Sequence, residues 1–511
     1  MANVKQKIAW LWRNAEKVLL VTFFLTFTFN IRKVFLTPYS FLNGGYNEYM
    51  TMSFSWADLL ILATIVIYTT KSILRQVINP YYAPFHGKVG KKSFTSVSRK
   101  TLYLFIFLGW AGISIFWSQY RPLAAYRLLT FIEIALFAVI AAKSLNNGKW
   151  IKLAILAIIL NGFFQSLLGI AQFIHNSALG FQFLGESVIG PNIDGVAKII
   201  FHGENHIRAY GTLPHPNILA GFLLVPLFLI IGTLLSRRLS LPGKQQDGVI
   251  SDLPIILSRD IPHALHLPDK KKQGDVSYET FLDFIPKLIW YAILFITGLG
   301  FFLTFSRSAF LGFFVGALIF LSKTLRARFQ DEMSGSNLKL LASSIIFLTF
   351  ALLLMLNNTS FFSYQSIQER TLYQNVSYET FLKHPFAGVG VGQFVMNEYR
   401  KHPNMESWQY QPVHNLYLLL LSELGMVGLL FFLLWIFSII KWGIGKNGNT
   451  GVLLTCSFFC CIVFSFLFIS FFDHYFWDIK SGTLILVLPF VLIFYPYYKF
   501  KKCSTKFFRL L

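Results

Sequence analysis

The sequence predicts an all-α polytopic membrane protein with about twelve transmembrane helices, and three observations predict this class. Only 13% of the 511 residues are charged, about half the share of an ordinary soluble domain. The hydrophobic share is 55%, with 56 Phe, which also excludes intrinsic disorder. The apolar residues form long continuous runs, whereas the strands of a membrane barrel alternate over about 10 residues.

A helix needs about 20 largely apolar residues to cross the hydrocarbon core of a bilayer. Stretches of this kind occur along the whole chain and define the predicted spans. In order, they are 18–36, 56–70, 101–118, 123–142, 151–174, 217–236, 284–304, 308–322, 338–356, 414–440, 451–472 and 481–498.

Positive charge gives the predicted orientation, because Lys and Arg concentrate in cytoplasmic loops. With the N-terminus inside and the spans alternating, 33 of the 45 Lys and Arg residues fall on the inner side. Both termini are therefore predicted to be cytoplasmic. The basic segment 237–287 becomes a cytoplasmic loop, and 357–413 becomes a large outer loop before the tenth span. The net charge of +22 thus reflects topology and does not indicate a nucleic-acid partner.

Two arginines oppose this topology. Arg208 lies in a Gly- and Pro-rich turn ahead of the sixth span, and Arg307 lies in the turn between two spans that Lys287 and Lys323 bracket. Both are predicted on the outer side, where the positive-inside bias gives no reason for them. An arginine at membrane level is costly, so both are functional candidates. Anchoring of a helix end by a snorkelling side chain is the competing interpretation for Arg208.

His414 begins the tenth span, so a rigid helix is predicted to hold it at the membrane surface. An intrinsic pKa near 6.5 suits a histidine for general-base chemistry at neutral pH, although a structural interfacial histidine is the alternative. Other outer or intramembrane polar residues can support the same site, and Glu423 can instead pair within the bundle. These candidate supporting residues are His215, Ser306, Arg370, Asn415, Glu423, Asp473 and His474.

Two motifs that resemble ligand sites are interpreted as structural. The Gly-rich stretch from His384 to Gly392 has no preceding strand and no dinucleotide-binding context, so it predicts a turn. His202 and His206 have i,i+4 spacing with Glu204 between them, but Gly203 and the loop setting argue against a metal-binding helix. Neither a metal nor a cofactor is therefore predicted.

Outer arginines near membrane level, together with a histidine at a helix start, predict chemistry on a phosphate-linked lipid. Arginine binds phosphate oxygens bidentately and stays charged. A nearby histidine can remove a proton from a hydroxyl. We therefore expect glycosyl transfer, in which an acceptor hydroxyl attacks an anomeric carbon. A lipid pyrophosphate leaves, and arginine stabilises its charge.

Five stretches also carry a family resemblance. They are RAYGTLPHPNILAGF (208–222), TFSRSAFLG (304–312), ERTLYQNVSYETFLKHPFAGVGVGQF (369–394), HNLYLLLLSELGMVG (414–428) and DHYFWD (473–478). In order and in spacing relative to the spans, they resemble the O-antigen ligase/polymerase superfamily of bacterial membrane glycosyltransferases. The predicted domains are accordingly an N-terminal bundle (1–200), an O-antigen ligase-like membrane domain (201–498) and a basic cytoplasmic tail (499–511).

The resemblance implies roles for individual residues. Arg208 and Arg307 would engage undecaprenyl pyrophosphate, His414 would be the base, and Arg370 matches a recurrent loop position with a less defined role. It also implies metal-independent, inverting transfer. The implied partners are an undecaprenyl-pyrophosphate-linked glycan donor and a glycan, lipid or protein acceptor. The implied location is the outer face of the bacterial cytoplasmic membrane.

Several functions stay open at this stage. Ligases, polymerases and protein O-oligosaccharyltransferases share these motifs. A transporter or flippase is a different class, which the gathering of ionisable residues on one face disfavours. A polysaccharide-binding membrane scaffold is a further alternative. The sequence does not give the sugar repeat, the acceptor, the oligomeric state or the envelope type of the host.

Overall fold

Helices form most of the chain in the computed structural model, which describes residues 2–78, 99–145, 148–201, 203–239, 286–328, 364–444 and 450–489. The helices are α1 (Ala2–Thr26), α2 (Trp56–Ile78), α3 (Arg99–Ile113), α4 (Arg121–Ser144), α5 (Gly148–His175), α6 (Pro216–Leu239), α7 (Lys287–Phe302), α8 (Arg307–Arg328), α9 (Tyr364–Lys383), α10 (Phe394–Lys401), α11 (Leu416–Ile444), α12 (Thr450–Ile469), α13 (Tyr475–Asp478) and α14 (Lys480–Ile485). Three antiparallel hairpins pair β1 (Arg32–Phe35) with β4 (Met52–Ser55), β2 (Phe41–Leu42) with β3 (Gly45–Tyr46), and β5 (Lys198–Phe201) with β6 (Glu204–Ile207).

Several helices are long and apolar enough to cross a membrane. Within the described ranges, five such segments are Trp56–Leu74, Arg121–Ser144, Lys149–His175, Pro216–Leu234 and Leu416–Lys441. Shorter apolar helices coincide with further predicted spans: Leu102–Phe116, Lys287–Phe302, Arg307–Ser322, Phe459–Ile469 and Lys480–Pro489. The predicted helical, multi-pass membrane architecture is thus confirmed, while the count of twelve spans and their orientation stay predictions.

Some predictions fall outside the described residues. The predicted span 338–356 and the tail 499–511 lie there entirely, as does most of the loop 237–287. The predicted span 481–498 is described only as far as residue 489.

The end predicted for the first span, residue 36, is corrected by the structure. α1 ends at Thr26, and Arg32–Phe35 forms β1 instead. In this hairpin region the guanidinium of Arg32 makes a 2.6 Å ion pair with Glu48. A helix that continued through Arg32 and Lys33 would place two adjacent cations at the end of an apolar span, which is costly. The hairpin gives one of them a carboxylate partner.

The hairpin region 27–55 is fastened to the loop that follows α10. The side-chain amide of Asn47 donates to the carbonyls of Ser407 (2.9 Å) and Tyr410 (3.0 Å). Asn43 donates to the carbonyl of Pro403 at 2.6 Å. Segments far apart in the chain therefore form one surface, and the N-terminal third contributes to the same end of the bundle as the outer loop.

Close packing of α8 on α12 sets the position of two helix ends. A Cβ at Gly312 would lie 2.8 Å from the side chain of Ile469, and one at Gly316 would lie 2.4 Å from Ser465 Oγ. Small residues at such positions let helix backbones approach closely. The two contacts run in opposite directions along the helices, so α8 and α12 are antiparallel. The start of α8 and the end of α12 consequently meet.

The helix α11 is interrupted at Gly425, whose φ is 67°. Segment 385–390 lies against the interruption and supplies backbone partners there, as buried non-helical backbone requires. The bonds run from Met426 N to Pro385 O (2.9 Å), from Val389 N to Ser422 O (3.0 Å) and from Gly390 N to Glu423 O (2.8 Å). This geometry supports the interpretation of the Gly-rich stretch as a structural turn.

Replacing Gly388 with alanine should destabilise the protein. Its φ is +64°, and an added Cβ would lie 2.4 Å from the backbone carbonyl of Glu423. We expect a loss on the order of 2–4 kcal/mol from left-handed backbone strain and the clash, measured as a lower unfolding midpoint in detergent. Gly298→Ala is the matched control, because outside its own helix backbone no atom of the described residues lies within 4 Å of its added Cβ. Equal midpoints for the two variants would contradict this account of the turn.

Candidate functional site

Helix ends from distant parts of the chain converge at one end of the bundle. α6 begins at Pro216, α8 at Arg307 and α11 at Leu416, while α12 ends at Ile469. Each of the predicted site residues Arg208, Arg307 and His414 lies at or just before one of these starts. The contacts described below join them, so helix packing positions the site and short connecting turns supply its side chains.

Arg208 is held by two hydrogen bonds that fix its guanidinium. Its Nε donates to the carbonyl of Thr304 and its Nη2 donates to Asn217 Oδ1, both at 2.6 Å. Burial lowers the pKa of Arg208 to about 10, and the charges of Arg307 and Arg370 add to the lowering. The side chain therefore stays protonated at neutral pH. Three guanidinium groups that influence one another in this way create a strongly positive local potential.

Arg307 is the first residue of α8 and follows a tight turn in which Phe305 has a φ of 48°. The turn is tied to the Arg208 segment, because Ala209 N donates to the carbonyl of Leu303 at 2.9 Å. Ser306 is buried, and its hydroxyl lies 3.4 Å from that of Ser308. The two predicted arginines are thus brought together by a backbone connection between the α7–α8 turn and the chain before α6.

Asp473 joins both arginine segments. Its carboxylate accepts hydrogen bonds from Ser308 Oγ (2.5 Å) and from Asn217 Nδ2 (3.1 Å). Since Asn217 also binds Arg208, a continuous hydrogen-bonded chain connects Asp473 to that guanidinium. Burial raises the pKa of Asp473, while the hydrogen bond from Ser308 and the charge of Arg370 oppose the rise.

Asn415 caps the start of α11 beside His414. Its Oδ1 accepts from the backbone N–H groups of Tyr417 (2.9 Å) and Leu418 (3.1 Å), as an N-cap residue does. Its Nδ2 donates to the carbonyl of Phe471 at 3.1 Å, which ties this helix start to the chain after α12. Asn415 therefore fixes the backbone from which the imidazole of His414 projects.

His414 is surrounded by rings. It stacks on Tyr373 with 5.8 Å between centroids and an interplanar angle of 9°, and it lies perpendicular to His474 at 4.9 Å. Its Nδ1 is buried and makes no hydrogen bond to any residue that the structure describes. Burial lowers the pKa of His414 well below its usual value, and the charges of His474, Arg370 and His215 add to the lowering. The imidazole is therefore neutral at pH 7.

The other predicted supporting residues occupy different places. His215 accepts a hydrogen bond from Asn217 N at 3.1 Å through Nδ1, and burial, with Arg208 and His474 adding, lowers its pKa to about 3. Arg370 is an exposed residue of α9 whose charge acts on the site. Glu423 lies deeper, where its carboxylate accepts from Gly392 N (2.8 Å), Phe394 N (3.3 Å) and Trp477 Nε1 (2.8 Å).

The predicted site set left out several residues that the structure places here. Asn217 and Ser308 bridge the arginine segments to Asp473. Tyr373 stacks on His414, and Asp478 binds His474. Ser308 and Asp478 had local signals, because Ser308 directly follows Arg307 and Asp478 lies four residues after His474 in the DHYFWD motif. The remaining contacts join residues too far apart in sequence for spacing to reveal them.

Fold and site together define a multi-pass membrane protein with a cationic, histidine-containing site where its helix ends meet. Comparison with known families agrees with this class. Residues 292–433 match the model of the Wzy_C family, described as O-antigen ligase. The match confirms the resemblance to the O-antigen ligase superfamily, and it indicates a membrane function in glycan transfer. It includes Arg307, Arg370 and His414, whereas Arg208 and Asp473 lie outside it. No curated protein matches the chain.

Proposed function

We propose that this protein is a glycosyltransferase that moves a glycan from an undecaprenyl-pyrophosphate carrier to an acceptor hydroxyl. The observation that carries the proposal is the neutral imidazole of His414 within the field of Arg370, whose charge also acts on Arg208 and Arg307. A neutral imidazole can accept a proton, and guanidinium groups can hold a pyrophosphate. The family match to O-antigen ligase supports the same chemistry.

The arginines would act on the donor. Arg208 presents a guanidinium whose orientation is fixed by Thr304 and Asn217, so little reorganisation is needed when an anion binds. Arg307 lies at the N-terminus of α8, where backbone N–H groups also favour a negative charge. As the bond to the anomeric carbon breaks, both groups stabilise the charge that develops on the leaving pyrophosphate.

His414 would act on the acceptor. Its imidazole takes the proton of the acceptor hydroxyl while the hydroxyl oxygen attacks the anomeric carbon. One carbon–oxygen bond forms and the bond to the lipid pyrophosphate breaks, so the transfer needs neither ATP nor a redox partner. Asn415 keeps the backbone at His414 fixed by capping α11 and binding Phe471.

The outer face of a bacterial cytoplasmic membrane is the proposed location. The excess of Lys and Arg on the other predicted side of the bundle supports it. The site also lies at helix ends, the level at which a carrier lipid presents its phosphates. A ligase or polymerase of surface polysaccharide is the proposed role, and transfer to protein is the alternative within the same chemistry.

Reconstitution with a lipid-pyrophosphate-linked glycan tests the proposal. The purified protein in liposomes is given the donor together with one of three acceptors: a lipid A core, a second donor glycan or a protein. A covalent product with one of them is expected and identifies ligase, polymerase or protein transferase. Movement of the intact donor across the bilayer without a covalent product would instead establish a transporter.

The pH dependence of transfer follows from the state of His414. Because burial holds its pKa well below 6.5, the base stays neutral as the pH falls through 6.5, and transfer should not decline there. The folded state disfavours the charged imidazole, so stability is expected to decline as the pH falls below about 6.5. The unfolding midpoint is therefore measured in parallel. A tenfold loss of rate per pH unit that begins at pH 6.5 in a folded protein would contradict the assignment.

A further inference from the structure

Two neighbouring rings cover the imidazole of His414, and a hydrogen bond with the backbone of Pro412 also acts on it. Tyr373 covers one side in a parallel stack, and the imidazole of His474 meets it at 83° with 4.9 Å between centroids. The buried Nδ1 of His414 has no described hydrogen-bond partner. Because no side chain that the structure describes bonds Nδ1, the two neighbouring rings contribute to the orientation that His414 adopts.

His474 is itself held by a carboxylate. Its Nδ1 lies 2.9 Å from Asp478 Oδ1 and 2.7 Å from Oδ2, and each side chain is only 6% exposed. An ionised carboxylate only accepts hydrogen bonds, so Nδ1 carries the hydrogen in this pair. A carboxylate that binds one ring nitrogen fixes both the tautomer and the orientation of an imidazole.

Asp478 is anchored in turn. The guanidinium of Arg127 donates to the backbone carbonyl of Asp478 and, at 3.1 Å, to that of Tyr49. The preceding residue, Trp477, donates its indole N–H to Glu423 at 2.8 Å. The single turn of α13 is thereby fastened to α4, α11 and the hairpin region 27–55. These bonds also give Arg127 and Glu423 a structural purpose inside the bundle.

We propose that His474 and Asp478 are positioning residues that hold the imidazole of His414 in the orientation needed to take the acceptor proton. The inference rests on the proposed function, since it deepens the role of the same site. His474 does not need to touch the substrate, because it acts through His414. Among the described residues, the charged or titratable groups that face the two histidines are Tyr49, His215, Arg370, Tyr373, Asp473 and Asp478.

Loss of the pair should slow the reaction without weakening donor binding. A catalytic group that is misplaced by about 1 Å costs roughly 10²-fold in rate. The arginines keep their own hydrogen bonds, so donor binding should persist. We expect His474→Phe, which keeps a ring but cannot bind Asp478, to lower kcat about 10–100-fold. The KM for the donor should change less than about threefold.

Asp478→Asn is the second variant, because it is nearly isosteric and keeps the turn packed. It should also lower kcat, since an amide does not fix the tautomer and orientation of the imidazole as a carboxylate does. Tyr475→Phe is the matched control in the same helical turn. Its hydroxyl has no hydrogen-bond partner among the described residues, so its kcat should equal that of the wild type. A loss of equal size in this control, or wild-type kcat in either test variant, would overturn the proposal.

The pH profile separates positioning from a merely structural role. The charge of His474 contributes to the lowered pKa of His414, so His474→Phe should move the acid limb of the profile to higher pH. Carbethoxylation of His414, followed by mass spectrometry, reports the same shift without any transfer assay. An unmoved reaction profile in this folded variant would refute the inference. If the carbethoxylation profile of His414 moved but the protein showed no glycan transfer, the proposed function would be refuted and the contact of the two histidines would stand.

Discussion

His414→Ala is expected to lower the rate of glycan transfer by about 10²–10⁴-fold, the usual contribution of a general base. The variant loses the only part of the proposed mechanism that takes the acceptor proton. The start of α11 should persist, because Asn415 caps it through its own side chain. Single-turnover transfer in liposomes measures the effect, with the unfolding midpoint as a check on folding.

His384→Ala provides the control for this variant. His384 is an exposed histidine of the same outer loop and lies at the turn that follows α9. The His384→Ala variant should transfer glycan at a rate within about twofold of the wild type. If His414→Ala transferred glycan as fast as His384→Ala, the base would have to be another group and the proposed mechanism would fail.

Arg208→Ala and Arg307→Ala are each expected to reduce kcat/KM for the donor by about 10²–10³-fold, the cost of removing one preorganised group from a developing anion. Arg208→Lys should recover only part of this loss, because lysine is a point charge without the fork that binds Thr304 and Asn217 together. The double variant Arg208→Ala/Arg307→Ala should lose less than the product of the two single losses, since both groups act on one leaving group.

Arg400→Ala is the matched arginine control. It removes an equal charge from an exposed position of α10, outside the contacts that join the arginine segments. Transfer should change little, and the change should disappear at higher salt because exposed charges are screened. Losses in Arg208→Ala or Arg307→Ala no larger than in Arg400→Ala would contradict a specific role in pyrophosphate binding.

Much of the architecture can be predicted from hydropathy because a bilayer imposes long apolar helices. Ten of the apolar stretches correspond to apolar helices in the described residues. The end of the first span is the exception. The apolar stretch predicted from hydropathy extends through Arg32 and Lys33. In the structure this segment forms a hairpin, in which Arg32 pairs with Glu48. A tertiary contact decides that boundary, and no local pattern contains it.

The structure brings together the main site residues that the sequence singled out. Arg307 begins α8, His414 lies two residues before α11, and Arg208 lies eight residues before α6, so the meeting of these helix starts brings the three segments together. The supporting contacts were harder to foresee. Asn217 was hidden in a Pro-Asn helix start, and Tyr373 was one aromatic among many. Their meaning depends on the packing of α9 on α11 and of α8 on α12, which a single sequence does not specify.

Glu423 makes contacts inside the bundle, the alternative that its sequence position left open beside a supporting role. It lies on the same helix as His414, and the sequence therefore offered it as a supporting residue. In the structure its carboxylate binds the backbone of the Gly-rich turn and the indole of Trp477. Through these contacts it holds α13 and the turn at 388–392.

The stoichiometry of carrier release tests the central claim most directly. Purified protein in liposomes is given a lipid-pyrophosphate-linked glycan and an acceptor, and both the free lipid pyrophosphate and the new glycosidic bonds are counted in one turnover. The proposed mechanism predicts one lipid pyrophosphate released for each bond formed, with both products lost together in His414→Ala. Bond formation without release of the carrier, or release that continues unchanged in His414→Ala, would contradict it.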